Sequence, residues 1–501
     1  MGLRALLAAF VALLACAAPA GASARLETIA EDELVTVQSG PARQAAALDE
    51  LRGLGVDTVR ALVQWTRVVP RPNASRRPAG LDPANPRTYP PEVWDPYDDL
   101  VRGARARGLD VLLSPAGPVP LWATPCRSGT PERRRTCKPS AREFEAFVTA
   151  LARRFSGTYA DENQPGVLPR VARWSVWNEP NQPGWLSPQY ERVGGRAVNT
   201  AARRYRDLVR AATRGLATAG HGGDEVLLGE TAPVGRTAGT LARSAAPPGS
   251  FLRDLLCLDR RGRGLRGRAA RDRGCRGFTR LAVTGFAHHP YTRGGSRPPL
   301  SALEPDEITV RNPGHLTTLL DRAARLRRIP PRLPVLYTEF GFQTRPPDEV
   351  FGVPLARQAD YLDQSAWLAF RTPRVRAAAQ YKLVDDQAVG AFQSGLRFAD
   401  GRAKPAHTTF PLPVWVTRTG SGVRVWGQVR PAADGARETV EIQRAARRGG
   451  AFATVARVAV ASRKGTFLAS VRRRGGVWRL RWTPAAGGAA VTSRTASPAA
   501  R

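Results

Sequence analysis

Lysine is almost missing from this chain. Of 76 basic residues only Lys138, Lys382, Lys404 and Lys464 are lysines; the others are arginines. A formal charge of +34 would ordinarily point to a polyanion partner. Arginine spread over the whole length, with surplus Ala and Gly and hardly any Lys, instead fits a codon bias expressed on a solvated surface. The clusters at 133–135, 260–276 and 472–474 keep a polyanion-binding surface as the alternative. Past the N-terminus no run reaches the ~18 apolar residues of a membrane helix, so no span is expected. The cysteines lack C-x-x-C or Cys/His spacing, which argues against a structural metal site. No glycine-rich phosphate turn follows an early strand, which disfavours an open doubly wound sheet. No internal repeat is evident.

What is present suffices for a large catalytic domain and a smaller module: 501 residues, 42% hydrophobic and 24% charged, with 48 Gly and 42 Pro in many connections. Residues 1–24 read as an export signal: Arg4, the apolar "ALLAAFVALLA", and "ASA" at 22–24 as a cleavage site. "LLAC" offers a second reading, a lipoprotein anchored through Cys16. The expected location is therefore secreted or cell-surface. In that oxidising setting Cys126 with Cys137, and Cys257 with Cys275, are expected to form disulfides closing short loops.

From about 30 to 410, short β-branched runs alternate with helical stretches. The strands read near "DELVTVQ" (32–38), then at 56–65, before 115, after 170, at 225–230, 280–291, 334–341 and 375–385. Eight β/α units predict a TIM barrel over 25–411. From 412 to 484 the strands are short and alternating with no helical period, which predicts a small β-sandwich accessory domain. Residues 485–501, rich in Ala, Gly, Ser and Thr, read as a disordered tail.

In such a barrel the C-terminal strand ends open onto the active face. Glu179, Glu230, Glu339, Asp385 and Asp386 fall there. Two carboxylates facing each other across a barrel mouth are what glycoside cleavage requires. Trp65, Trp122, Trp177 and Trp185 are candidate flat faces for sugar rings, with Trp65 and Trp185 favoured.

"VWNEPN" (176–181) and "YTEFGF" (337–342) resemble the paired strand ends of clan A glycoside hydrolases. "TVRALVQW", "WDPYDDLVRGARARGLDVLL", "HHPY" and "GLRFADGRAKPAH" fit the same clan. The resemblance covers roughly 30–410 and leans toward the cellulase-like (family 5) and β-xylosidase-like (family 39) groups. It implies a retaining β-glycosidase without metal or cofactor, acting as a monomer on an oligo- or polysaccharide, with no nucleic-acid partner. Glu179 would be the acid/base and Glu339 the nucleophile. Asn178 would hydrogen-bond the sugar 2-hydroxyl, Arg60 would lie beneath Glu339, and His289 and Tyr291 would orient the pair. Two departures stand out. "LLSPAGPVPLW" carries no histidine near the third strand end. The eighth strand has Gln380, Tyr381 and Lys382 where a tryptophan is usual. The loop 257–275 is expected on the active face. The rival readings are a carbohydrate-binding barrel without turnover and a polyanion-binding surface protein.

Overall fold

The computed structural model describes residues 13–14, 23, 25–236, 244–432, 437–460 and 462–500. Cys16, and all of the 1–24 leader except Leu13, Leu14 and Ser23, lie outside the described residues. Eight strands form a closed barrel: β1 Glu27–Glu31, β2 Thr58–Gln64, β3 Asp110–Ala116, β4 Arg173–Ser175, β5 Glu225–Thr231, β6 Gly285–His288, β7 Val335–Tyr337 and β8 Val375–Tyr381. All neighbours pair in parallel, and β8 against β1 completes the ring. Helices α1 Pro41–Gly53, α2 Asp95–Ala106, α3 Ala141–Arg154, α4 Ala201–Thr218, α5 Pro248–Leu255, α6 Pro313–Arg325 and α7 Leu355–Phe370 each fall between consecutive strands. Their apolar stripes face the sheet; α4, for example, buries Tyr205, Leu208, Val209, Ala212 and Leu216 at three- and four-residue spacing.

Strand alternation stacks the barrel interior in layers. Ile29 of β1, Leu112 of β3, Leu227 of β5 and Leu336 of β7 share one apolar cluster. Below it Arg173 pairs with Glu27 (2.5 Å) and Glu225 (2.7 Å). Above it the inward positions are Glu31, Arg60 and Ser114, all buried, so polar chemistry begins one layer beneath the mouth.

The first strand differs from expectation. Residues 33–36 are a helical turn, and the strand is "ETIAE" just before it. Val35 and Val37, whose alternation suggested a strand, are buried under this turn. The strand itself is half polar because Glu27 and Glu31 point into the barrel's two charged layers.

After the barrel come antiparallel strands β9 Val414–Arg418, β10 Val423–Gln428, β11 Glu438–Ala445, β12 Ala453–Val460, β13 Thr466–Val471, β14 Val477–Trp482 and β15 Val491–Thr492. They make two sheets, β9-β10-β13 and β12-β11-β14-β15, the second extended by Leu13–Leu14. One apolar cluster takes side chains from both. Trp426, Trp478 and Trp482 are buried. Contacts reach the barrel's lower end: Gln428 donates to the Leu26 carbonyl (2.9 Å) and Lys464 pairs with Asp57 (2.7 Å). These strands therefore stand away from the mouth. The other lysines are also ion-paired, Lys138 with Glu191, Lys404 with Asp385, and Lys382 with Asp32 and Asp386.

The tail expected to be disordered is instead ordered through residue 500. β15 adds to β14, Ala496 bridges Trp478, and Ala499 bridges Thr417. Composition hid the inward positions Ser493 and Ala496, and also Arg494, which lies 2.6 Å from Asp363 and 3.0 Å from Asp360 on α7. Burial lifts the Asp363 carboxyl to about 6 against the pull of Arg494. Arg494→Ala strands that carboxylate, and a loss of about 3 kcal/mol is expected by urea unfolding at pH 7.5. The aspartate destabilises only when ionised, and without Arg494 its carboxyl rises further above 6, so the deficit should shrink as the pH falls from 7.5 toward 6 and be largely gone below it.

Candidate active site

A cleft of about 400 Å³ opens at the C-terminal ends of the barrel strands. Its floor is organised by Arg60, fully buried on β2. The guanidinium meets Glu230 through Nε (2.9 Å) and Nη2 (2.5 Å), Glu31 through Nη1, and Asn178 Oδ1 through Nη2 (2.8 Å). Its Nη1 also lies 3.6 Å from Glu339. Burial alone would make the cation easier to discharge, but Glu230 and Glu339 outweigh it and hold Arg60 protonated.

Two backbone irregularities aim the acids inward. In β5 the register with β6 shifts between Gly229 and Thr231, so Glu230 takes the inward place. Gly229 has φ +121°, and a Cβ there would meet the Ala287 carbonyl at 2.3 Å. After β4, Trp177 and Glu179 adopt φ +71° and +38°, values costly for non-glycine residues and frequent at functional sites. The Glu179 amide donates to the Glu230 carbonyl (3.0 Å). Asn181 fastens this loop to its neighbour, donating to the Ala232 and Ala246 carbonyls and accepting from the Ala232 amide.

Glu339 follows β7 and enters from nearly the opposite side. Tyr291 donates to its Oε1 (2.9 Å). His289 Nδ1 lies 3.1 Å from Glu179 Oε1 and 3.5 Å from Glu339 Oε2. One oxygen of each glutamate and a His289 ring nitrogen fall within 4.8 Å of one another. Burial pushes the Glu339 carboxyl up, as does Glu179, while His289, Arg60 and Tyr291 oppose them. Burial pulls His289 down, but the two glutamates prevail and raise it. Burial and Glu339 hold the Tyr291 phenol well above its ordinary value, so it remains a donor. Two carboxylates and an imidazole are types that ligate divalent metals. Here, however, Glu339 already faces a phenol and a guanidinium, and the imidazole nitrogen lies between the two carboxylates; a hydrogen-bonded cluster accounts for the set.

No protein-family model matches the chain, and no curated protein sequence matches it. Similar solved structures include the GH5_18 protein of Streptomyces cattleya in complex with GlcNAc (17% identity, 77% of this chain and 79% of that one, TM-score 0.45). Others are the β-glycosidase of Thermosphaera aggregans (18%, 73% and 83%, 0.44) and the hyperthermophilic β-glucosidase of Pyrococcus furiosus (16%, 75% and 84%, 0.44).

Of the residues singled out in the sequence, Asn178, Glu179, Tyr291, Glu339 and Trp185 line the cleft, with Arg60 and His289 buried against them. Trp65 does not reach it. It follows β2 and turns outward, fully buried and stacked on Phe147 of α3 with ring centroids 5.2 Å apart. Trp177 is likewise core, edge-on to Phe144. Both disulfides, Cys126–Cys137 and Cys257–Cys275, are formed. Residues 257–275 do not line the cleft: Arg206 of α4 binds the Gly274 carbonyl (2.8 Å), and Gly262 lies against Arg322 of α6, on the barrel's flank. No helix among the described residues is long and apolar enough to cross a membrane. Sequence reading missed Glu31 and Glu33, because it placed the first strand too late, and Gln182 and Gln343, which carry no charge signal. Of the three eighth-strand candidates, Tyr381 faces the cleft. Gln380 is spent on backbone carbonyls and Lys382 on acids.

Proposed function

We propose that the protein is a retaining β-glycosidase, exported, acting on an oligo- or polysaccharide. The observation that carries this is the approach of Glu179 and Glu339 to within 4.8 Å across the barrel mouth. Direct attack on a sugar uses carboxyls about 5–5.5 Å apart, whereas a water-mediated inverting reaction needs about 6.5–9.5 Å. In the first step a Glu339 oxygen bonds to the anomeric carbon as the glycosidic C–O bond breaks. The Glu179 proton passes to the leaving oxygen. In the second step Glu179 takes a proton from water, the water oxygen bonds to the anomeric carbon, and Glu339 leaves.

Hydrogen-bond roles support this division. Both Glu339 oxygens face donors, Tyr291 on one side and Arg60 and His289 on the other, which favours its anion. Glu179 is the more exposed of the two, and among the described residues only His289 donates to its carboxyl, leaving an oxygen able to carry a proton toward the leaving group. With its Oδ1 held by Arg60, Asn178 has its NH₂ left to donate to a sugar hydroxyl. Trp185 supplies an apolar face. The two disulfides suit an oxidising compartment. A panel of aryl β-glycosides tests the activity. A 2-fluoro glycoside should leave a covalent label on the peptide bearing Glu339, and a label elsewhere would refute the assignment.

Because attack needs the Glu339 anion, its raised affinity for protons should place the acid limb of kcat/KM above the ordinary glutamate value of 4.5. Tyr291→Phe removes a donor to that anion. It should move the limb higher still and lower kcat by about 10- to 100-fold, the worth of a hydrogen bond to a charged group. A pH–rate profile of both proteins checks the shift.

A further inference from the structure

In a chain with 76 basic residues, the cleft is lined by twenty-one described residues of which none is Arg, Lys or His, where composition alone would give about three. Its charged lining is Glu31, Glu33, Glu179 and Glu339. Arg60 is buried beneath, with its guanidinium already shared among Glu31, Glu230, Asn178 and Glu339. The molecule is therefore strongly positive overall but negative where the sugar would sit. Glu31, Glu33, Glu179, Glu230 and Glu339 lie in or under the cleft against two cationic groups, Arg60 and His289, both already engaged by these carboxylates, and screening over about 8 Å at physiological salt weakens the arginines farther out.

Glu33 differs from the other three acids. Glu31 has Arg60, Glu179 has His289, and Glu339 has both. Glu33 forms no ion pair among the described residues; its Oε1 accepts from the Leu62 amide at 3.0 Å. It is half-buried on the wall where β1 and β2 end, beside Leu62 and Gln64, across the barrel from Trp185. The proposed chemistry gives Glu33 no part. A carboxylate held by backbone amides alone, those of Leu62 and of its own residue, with Lys382 and Arg67 near enough to favour its anion but not paired with it, has capacity for further donors and suits sugar hydroxyls or an ammonium group.

We propose that Glu33 is a specificity-determining residue and that the cleft takes neutral or amino sugars while rejecting uronic acids and other anionic sugars. This rests on the reading of the cleft as a sugar site. A carboxylated sugar would find Arg60 and His289 already engaged by glutamates and would stand among like charges, whereas a hydroxyl or ammonium group would find acceptors.

The test is equilibrium binding, which does not need turnover. The probes are isofagomine, a cationic polyhydroxylated piperidine, and its carboxylate-bearing counterpart, titrated calorimetrically into wild-type protein and Glu33→Gln. The amide oxygen of the variant can still accept from Leu62, and an unchanged unfolding temperature would show that the wall is intact. Isofagomine should bind wild type at least 100-fold more tightly than its counterpart, and Glu33→Gln should narrow that ratio at least tenfold. Equal binding of the two probes, binding of neither, or a ratio unchanged in Glu33→Gln would overturn the proposal. Cleavage of neutral aryl glycosides without discrimination in binding would sink this inference and leave the glycosidase reading standing. Discriminating binding with no glycoside cleaved would do the reverse.

Discussion

Glu339→Ala is expected to lower turnover of a dinitrophenyl β-glycoside by at least about 10⁴-fold, with the fold unchanged, because no other group can form the covalent intermediate. The carboxylates of the cleft floor, Glu31 and Glu230, are buried and tied to Arg60, and Glu230 also to Ser114. Removing Glu339 also opens space, and azide can enter it. Azide then attacks the anomeric carbon from the vacated side and gives the α-glycosyl azide with inverted configuration. Glu179→Ala should behave differently. With so good a leaving group the first step needs little acid help, so the glycosyl-enzyme forms and accumulates. The loss then lies in its hydrolysis, within the range of about 10²–10⁴-fold typical of acid/base groups. Azide attacks that intermediate from the other face and gives the β-product. Opposite azide stereochemistry from the two variants, read by NMR, would assign both roles. The same product from both, or wild-type turnover in Glu339→Ala, would remove the double-displacement mechanism with these roles, and no turnover above background in the wild type would favour a sugar-binding barrel.

The sequence carried the barrel well where strand and helix differ in period. "AARRYRDLVRAATRGLATAG" has one apolar stripe and became α4, while "EVLLGE" has none and became β5. It carried β1 poorly, since a strand with charges at both inward ends resembles a loop. Glu31 and Glu33 were lost with it. Acids at strand ends were legible because an apolar run that stops on a carboxylate is improbable without a use for the charge. Which carboxylate does what was not legible from spacing. Glu230 and Glu179 both end strands, and only the bulge at Gly229 and the Arg60 contacts separate them. Tryptophans were the weakest signal. Trp65 and Trp185 were favoured alike in sequence, yet Trp65 turns outward directly after β2 and stacks on α3, whereas Trp185 lies in the loop after β4 and faces the cleft. The tail shows a limit of composition: three backbone pairings and one arginine order a segment whose letters read as disordered.

Arg60 sits where stability and chemistry are hardest to separate, and two substitutions separate them. Arg60→Met keeps much of the volume and removes the charge. Glu31 and Glu230, both buried, then lose their cation, and breaking a buried pair from one side costs about 3–5 kcal/mol. A deficit of that size in urea unfolding is expected, with no measurable activity. Arg60→Lys restores the charge but not the planar fork. One ammonium offers three donors from a single point, and it cannot serve Glu31, both oxygens of Glu230, and Asn178 in the geometry the guanidinium holds. More than half of the lost stability should return. Turnover should stay at least about tenfold down, since Asn178 is no longer fixed against the sugar and Glu339 loses a neighbouring donor. The loss should be larger in kcat than in KM if Asn178 makes the proposed contact to the 2-hydroxyl, since such a contact strengthens in the transition state. Wild-type activity in Arg60→Lys would mean that charge alone matters beneath the pair. Unaltered stability in Arg60→Met would mean that Glu31 and Glu230 do not depend on the guanidinium, and the layered account of the barrel's upper end would fall with it.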